Sequence, residues 1–284
     1  IDKSSDNKAP GSDEIINEML KKGKDDLKEV LYRLMNGIKE KTIDIPRSWK
    51  LGDLISFFKG KGDSLDMTCQ RGITLTSTIL KLLESIIGER IEPIIRTDCT
   101  PLQGGGKKGE AAEEYIFIMQ TIIDANRQER KSSKFIITDV EKAFDQAWRI
   151  GVFHNLVKRG IKGEILDLLW RLNNDIIARI KHDTQKHSEE FEVEESLRQG
   201  GGLSAIFYAQ HVGSVVEDLE KKGYGRKVGN VKIPAVAWQD DVTLVPNNKE
   251  EEKDMIKEFE VSTEKNRVKL AIEKKTHVLN VGKE

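Results

Sequence analysis

Two adjacent aspartates, Asp240 and Asp241, stand between two runs of apolar residues that have the composition of β-strands. A third aspartate, Asp139, directly follows another such run at residues 135–138. Carboxylates gathered at strand ends repel one another and lose hydration, and a bound divalent cation offsets that cost. Hard cations such as Mg²⁺ take oxygen ligands and keep positions open for substrate phosphates. The three aspartates therefore indicate a metal-dependent reaction on a phosphate-bearing substrate.

Two such ions about 4 Å apart activate an attacking hydroxyl and stabilise a leaving oxygen. With Asp139 and Asp240 as protein ligands, this arrangement suits nucleotidyl transfer with Mg²⁺, or with Mn²⁺ in its place. The competing interpretation of Asp240 and Asp241 is a tight hairpin turn, because Asp is common in turns.

The residues around the aspartates resemble a known family. Residues 135–145, FIITDVEKAFD, resemble the first palm motif of reverse transcriptases, in the form found in non-LTR (LINE-type) retrotransposons. Residues 237–241, AWQDD, resemble the paired-aspartate motif of the same family. Further similar segments follow the order of the family, at 8–11, 49–50, 58–63, 70–75, 102–105, 197–204 and 274–276. The resemblance thus covers nearly the whole chain.

The resemblance implies roles for individual residues. Asp139 and Asp240 would bind the metal ions, and Asp241 would be a supporting catalytic carboxylate. The residues that would bind the nucleotide are Lys59, Lys61, Arg71, Phe144, Gln199, Gly200 and Lys275.

Within that set, the family resemblance implies a division of labour. Arg71, with Lys59 or Lys61, would hold the triphosphate, and Lys275 would lie near the leaving pyrophosphate. Gln199 and Gly200 would line the nucleotide pocket. Phe144 would lie beneath the sugar and discriminate against a 2′-hydroxyl; the alternative is a core aromatic residue. Asp145 is interpreted as a residue that begins a helix.

The predicted secondary structure that positions these residues is mainly helical in the first half of the chain and includes more strands in the second half. Apolar residues at helical spacing dominate the first half, and the strand-like run at 54–58 leads into a glycine-rich turn with basic residues. A strand at 135–138 precedes a helix-like segment that ends near residue 159, and residues 231–238 form one further apolar run. We expect an α+β fold with right-hand fingers at 1–134 and a palm at 135–284, in which a small antiparallel sheet packs on helices.

Composition sets limits on the surroundings of the protein. The 284 residues include 47 Lys and Arg against 48 Asp and Glu, so any basic track for nucleic acid must be local. Cys69 and Cys99 lie far apart and lack the paired spacing of a zinc site or a disulfide framework, which predicts an intracellular setting, nuclear or cytoplasmic. We find no secretion signal, and no apolar run reaches the roughly 18 residues of a membrane span, so no membrane partner is expected.

Several positions depart from the family pattern. Gly201 and Gly202 stand where the family has Asp or Cys and then Pro, and Trp238 and Gln239 replace an aromatic residue and an alanine. Gly106 stands where an aromatic residue is usual, and Glu110 stands where an arginine is usual. These departures leave open the alternative that the chain is a degenerate copy of a family member and has lost catalytic activity.

The resemblance predicts an RNA-directed DNA polymerase core. Its partners would be an RNA template, a DNA primer and deoxynucleoside triphosphates, and the sequence gives no indication of oligomeric state. Because the chain ends at Glu284 soon after the motif at 274–276, the thumb is expected to be absent. Two other classes remain: a reverse-transcriptase-like module that binds nucleic acid with weak or no catalysis, and an interaction domain that uses the fold as a scaffold.

Overall fold

The computed structural model describes residues 1–182, 186–271 and 276–282. Its α-helices are α1 (Asn17–Lys22), α2 (Lys24–Lys39), α3 (Arg47–Lys50), α4 (Thr78–Asp98), α5 (Ala112–Gln128), α6 (Arg149–Lys158), α7 (Gly163–Asn173), α8 (Ser204–Lys222) and α9 (Lys249–Lys265). Its strands are β1 (Leu51–Phe58), β2 (Gln70–Leu75), β3 (Ser133–Thr138), β4 (Ile176–Ile180), β5 (Phe191–Val193), β6 (Arg226–Val228), β7 (Val231–Ile233), β8 (Ala235–Trp238), β9 (Asp241–Leu244) and β10 (His277–Val281).

These elements form two compact units, each built from two stretches of chain. The first unit comprises Ile1–Ile91 and Ile161–Ser204, and the second comprises Glu92–Gly160 and Ala205–Glu284. The predicted division into fingers at 1–134 and palm at 135–284 cuts the chain at a single point, and it stays a prediction.

The first unit contains a mixed four-stranded sheet in the order β2-β1-β4-β5. β1 pairs antiparallel with β2 and parallel with β4. The Asp53 carboxylate of β1 is buried and accepts a hydrogen bond from Arg179 of β4 at 2.6 Å, so a charged pair joins the parallel strands. Helices α2 and α3 contact α7 within the same unit.

The second unit contains an antiparallel four-stranded sheet in the order β10-β3-β9-β8. Its strands are rich in apolar residues because both central strands contribute to the core, which includes Phe135, Ile136, Val242 and Leu244. Helix α5 packs against β3 and β8. The predicted α+β class with a small antiparallel sheet is therefore confirmed.

Two local predictions were wrong. The apolar run at 231–238 is not one strand: β7 pairs with β6, whereas β8 pairs with β9. Pro234 separates the two strands because proline has no N–H to continue a ladder. The helix predicted after Asp139 begins only at Arg149, so Asp145, interpreted as a residue that begins a helix, lies instead in the intervening turns, which include Lys142 with a positive φ of 49°.

No helix among the described residues is long and apolar enough to cross a membrane. Cys69 and Cys99 are both free thiols in the structure, and Cys99 is buried.

Candidate active site

The register of β3 and β9 brings the aspartates to one end of the sheet. Thr138 is paired with Val242, and the Thr138 hydroxyl donates a hydrogen bond of 2.8 Å to the Val242 carbonyl oxygen. Continuing this antiparallel register by one residue sets Asp139 opposite Asp241. The end of β3 and the start of β9 therefore bring Asp139 and Asp241 to the same end of the sheet.

Asp240 lies in the turn between β8 and β9. Trp238 and Asp241 form the last pair of this hairpin, which leaves Gln239 and Asp240 as its two connecting residues. Gln239 has a positive φ of 58°, a backbone conformation that is costly for a residue other than glycine. Asp240 is half-buried and Asp241 is exposed.

Tyr208 of α8 connects the aspartates to Phe144. Burial raises the pKa of the Tyr208 hydroxyl far above its ordinary value, and the negative charges of Asp240 and Asp139 raise it further. The ring centroids of Tyr208 and Phe144 are 5.1 Å apart. The structure therefore gathers Asp139, Asp240 and Phe144 around one buried tyrosine, which stays protonated and neutral.

A fully buried glutamine, Gln103, contacts the same turn. The segment around Gln103 runs alongside β8, because the Ala237 N–H donates to the Leu102 carbonyl oxygen at 2.7 Å and the Gly104 N–H donates to the Ala237 carbonyl oxygen at 3.1 Å. The side-chain amide of Gln103 donates to the Gln239 carbonyl oxygen and accepts from the Gln239 N–H, both at 3.0 Å.

Sequence reasoning assigned no role to Tyr208 or to Gln103. Tyr208 stands in an ordinary apolar helix, and its single signal is that it follows the motif at 197–204 by one helical turn. Gln103 was noted only as part of a segment similar to the family. Both become visible only through contacts with residues distant in the chain.

The carboxylates fit a hard divalent cation. Among the residues that the structure describes, no group of three or more His, Cys, Asp or Glu side chains is placed to hold a metal ion. Mg²⁺ in phosphate-transfer sites is nevertheless bound through one or two carboxylates, with substrate phosphates and water as the other ligands. Asp139 and Asp240, at the ends of neighbouring strands, supply oxygen ligands of that kind.

Three of the predicted nucleotide-binding residues belong to the β1–β2 hairpin of the first unit. Lys59, Lys61 and Arg71 are all exposed. Arg71 is paired with Phe57, two residues before Lys59, so Lys59 and Arg71 lie at the same end of the paired strands. The Lys59 ammonium donates to the Thr68 carbonyl oxygen at 3.0 Å.

Gln199 and Gly200 lie beside β2 in the same unit. The Thr74 N–H donates to the Gln199 carbonyl oxygen at 2.8 Å. Gly200 has a φ of 117°, and a Cβ atom there would lie 2.6 Å from the Thr74 carbonyl oxygen. Glycine is therefore required at 200 both by conformation and by the close approach of β2.

The departure at Gly202 has a structural reason. The Gly202 N–H donates to the buried Glu84 carboxylate at 2.7 Å, and a proline at 202 has no N–H to give. Burial raises the pKa of Glu84, and the charge of Arg198 together with the Gly202 hydrogen bond opposes that rise. Lys275, the remaining predicted nucleotide-binding residue, lies outside the described residues.

The antiparallel sheet with aspartates at one end defines a fold of the reverse transcriptase class. The family model of reverse transcriptase (RNA-dependent DNA polymerase) matches residues 59–282. The chain therefore belongs to the reverse transcriptase family. The predicted resemblance to the non-LTR (LINE-type) members is confirmed by the curated relatives.

Two of those relatives are retrotransposon proteins. The retrovirus-related Pol polyprotein from type-1 retrotransposable element R2 of Popillia japonica is 23% identical over 241 residues, which is 84% of this chain and 33% of the relative. The probable RNA-directed DNA polymerase from transposon X-element of Drosophila melanogaster is 31% identical over 156 residues, which is 54% of this chain and 17% of the relative. The chain thus spans a third or less of the length of these relatives.

Solved telomerase structures share the fold. Apo telomerase from Candida tropicalis, truncated from the C-terminal domain, matches with a TM-score of 0.61 at 14% identity over 90% of this chain and 56% of that chain. Telomerase from Candida albicans, in complex with a TWJ fragment of telomeric RNA, matches with a TM-score of 0.59 at 13% identity over 89% of this chain and 46% of that chain. At these identities the likeness concerns the fold alone.

Proposed function

We propose that this chain is the core of an RNA-directed DNA polymerase that adds nucleotides to a primer 3′ end by two-metal-ion nucleotidyl transfer. The observation that carries the proposal is the register of β3, β8 and β9, which brings Asp139 and the turn with Asp240 to one end of the sheet. Membership of the reverse transcriptase family supports the same reaction.

Asp139 and Asp240 would hold Mg²⁺, or Mn²⁺, as the protein ligands. When bound, the ions supply activation of the primer hydroxyl and stabilisation of the leaving pyrophosphate oxygen. Asp241 is exposed at the start of β9 and adds negative charge beside the two ligands.

In the second unit, Tyr208 and Phe144 contribute to the site without binding metal and without carrying a charge. Tyr208 is uncharged at neutral pH, so it adds no further negative charge to the aspartates. Its ring contacts Phe144 and limits where that side chain can lie. A fixed Phe144 beneath the sugar would exclude nucleotides that carry a 2′-hydroxyl by steric contact.

The first unit would bind the incoming nucleotide. Lys59 or Lys61, with Arg71, would pair with the triphosphate, because exposed cations at one hairpin end suit a polyanion. Gln199 and Gly200 would line the base and sugar side of the pocket, and Lys275 would act near the pyrophosphate. The partners would be an RNA template, a DNA primer and deoxynucleoside triphosphates.

The experiment is primer extension on poly(rA) primed with oligo(dT), with dTTP and either Mg²⁺ or Mn²⁺. The wild-type chain is compared with Asp240→Ala and with Asp254→Ala, which removes an exposed carboxylate on α9 as a matched control. We expect extension by the wild type and by the control, and none by Asp240→Ala.

Two results would contradict the proposal. Extension that survives Asp240→Ala would show that the carboxylate is not a ligand. A folded wild-type chain that retains nucleic acid but does not extend the primer would favour the alternative, a reverse-transcriptase-like binding module without catalysis.

A further inference from the structure

The turn that carries Asp240 has an unfavourable backbone conformation. Gln239, which directly precedes Asp240, has a φ of 58°, a conformation that is less favourable for other residues than for glycine. A two-residue hairpin connection commonly has a positive φ at its first residue, and a contact that holds Gln239 in this conformation fixes the shape of the connection between β8 and β9.

Gln103 supplies that contact through its side-chain amide. Its Nε2 donates to the Gln239 carbonyl oxygen, and its Oε1 accepts from the N–H groups of Gln239 and Gly105, all at 3.0 Å. These contacts define the orientation of the amide, since the oxygen faces two donors and the nitrogen faces an acceptor. The amide thus binds both backbone groups of Gln239 as a neighbouring strand would.

Two glycines, Gly104 and Gly105, leave room for the backbone to lie close to the turn. A Cβ atom on Gly105 would lie 2.3 Å from the Gln239 nitrogen, and a Cβ atom on Gly104 would lie 2.1 Å from the Tyr115 ring. Glycine at both positions lets the backbone of 104–105 approach β8 and the turn closely enough for the Gln103 amide to reach Gln239.

We propose that Gln103 is a positioning residue that fixes the Asp240 carboxylate for metal binding by clamping the backbone of Gln239. The inference rests on the proposed function, in which Asp240 is a metal ligand. Gln103 itself touches neither Asp240 nor substrate in the contacts described; it acts through the residue before Asp240. Such supporting contacts affect metal affinity or activity by about 10-fold to 100-fold when they are removed.

The variant that tests the proposal is Gln103→Met, which keeps a side chain of similar length and removes all three hydrogen bonds. Gln210→Met is the matched control, because Gln210 is equally buried in the same unit and lies on α8, outside the turn that carries Asp240. The double variant Gln103→Met with Gln239→Gly is the second test, since glycine adopts a positive φ without cost.

Two measurements do not depend on polymerase activity. One is the Mn²⁺ dissociation constant of each folded variant, measured by electron paramagnetic resonance with Mn²⁺ alone. The other is hydrogen exchange of the Gln239 amide, whose N–H donates to Gln103. A role limited to global stability would not change Mn²⁺ affinity in folded protein.

We expect Gln103→Met to weaken Mn²⁺ binding by about 10-fold or more and to speed exchange at Gln239, while Gln210→Met matches the wild type. The added Gln239→Gly change should restore part of the Mn²⁺ affinity. In primer extension, Gln103→Met should lower kcat and leave the nucleotide KM unchanged.

Wild-type Mn²⁺ affinity in folded Gln103→Met overturns the positioning role, whatever the extension assay gives. A failure of the proposed polymerase function would be recognised by a different experimental result. A wild-type chain that binds Mn²⁺ through Asp240 without extending a primer contradicts polymerase activity, and a Gln103-dependent Mn²⁺ affinity in that chain still supports the positioning role.

Discussion

The Thr138 hydroxyl donates a hydrogen bond of 2.8 Å to the carbonyl oxygen of Val242, across two strands that are 104 residues apart in the chain. Each partner is adjacent to an aspartate of the candidate site, Thr138 to Asp139 and Val242 to Asp241. The bond therefore ties the ends of β3 and β9 together at the position where the carboxylates must converge.

Replacing Thr138 by valine should destabilise the protein and lower primer extension. The change removes one buried hydrogen bond, so the free energy of unfolding should fall by about 0.5–1.5 kcal/mol. Urea denaturation measures that change. Thr243→Val on β9 is the control, because Thr243 is only half-buried and β-branched residues suit a strand. Equal stability and extension for both variants would contradict a role for the Thr138 bond.

Replacing Phe144 by alanine should relax sugar discrimination. If the ring lies beneath the sugar, its removal opens space for a 2′-hydroxyl, and the preference for dTTP over UTP should fall by about 10-fold or more. The measurement is the ratio of kcat/KM for the two nucleotides, which cancels general losses of activity. An unchanged ratio would leave Phe144 as a core aromatic residue that packs on Tyr208.

Replacing Gly105 by alanine should displace the turn that carries Asp240. The new Cβ atom would lie 2.3 Å from the Gln239 nitrogen, and overpacking of this kind costs about 1–3 kcal/mol. Thermal unfolding and primer extension should both report the loss. Gly213→Ala on α8 is the control, since its Cβ atom would make only ordinary contacts, at 3.5 Å with Cys99 and at 3.7 Å with Gln103, and alanine favours a helix. Wild-type behaviour of Gly105→Ala would contradict the close approach.

Stability should depend on pH through His211. Burial lowers the pKa of His211 to about 4, and its hydrogen bond to the Asn266 carbonyl oxygen only partly opposes this shift. The unfolded chain, with an ordinary histidine pKa of about 6.5, binds more protons between these values. The contribution of His211 is therefore fully present above about pH 6.5 and is lost as the pH falls towards 4.

Urea denaturation at several pH values tests this dependence. The wild type should lose about 3 kcal/mol at most over that range from this group. His211→Gln should reduce the slope, whereas the exposed His154→Gln variant should keep it. A slope that is the same in all three proteins would contradict the assignment to His211.

Local patterns in the sequence predicted several elements correctly. The helical spacing of apolar residues in the first half predicted the helices observed as α2, α4 and α5, and the β-prone run before Asp139 predicted β3. These predictions succeeded because amphipathic spacing and strand composition are properties of adjacent residues. The break at Pro234 was visible in the same way, although the prediction of a single strand overlooked it.

The parts of the site that depend on distant contacts were not predictable from local pattern. Gln103 and Gln239 are 136 residues apart, and no periodicity relates them. Gly106, where the family has an aromatic residue, and Gln239, where it has alanine, appeared to be separate departures. In the structure they are neighbours, since a Cβ atom on Gly106 would lie 2.9 Å from the Gln239 amide nitrogen. The larger side chain at Gln239 is therefore accompanied by the loss of a side chain at the neighbouring Gly106.

The most direct test of the metal site is a count of bound Mn²⁺ by electron paramagnetic resonance, in the presence of primer, template and an unreactive nucleotide analogue. We expect two ions for the wild type, fewer for Asp139→Asn and for Asp240→Asn, and two for the surface control Asp254→Asn. Two ions retained in both Asp139→Asn and Asp240→Asn, at wild-type affinity, would contradict metal binding by these carboxylates.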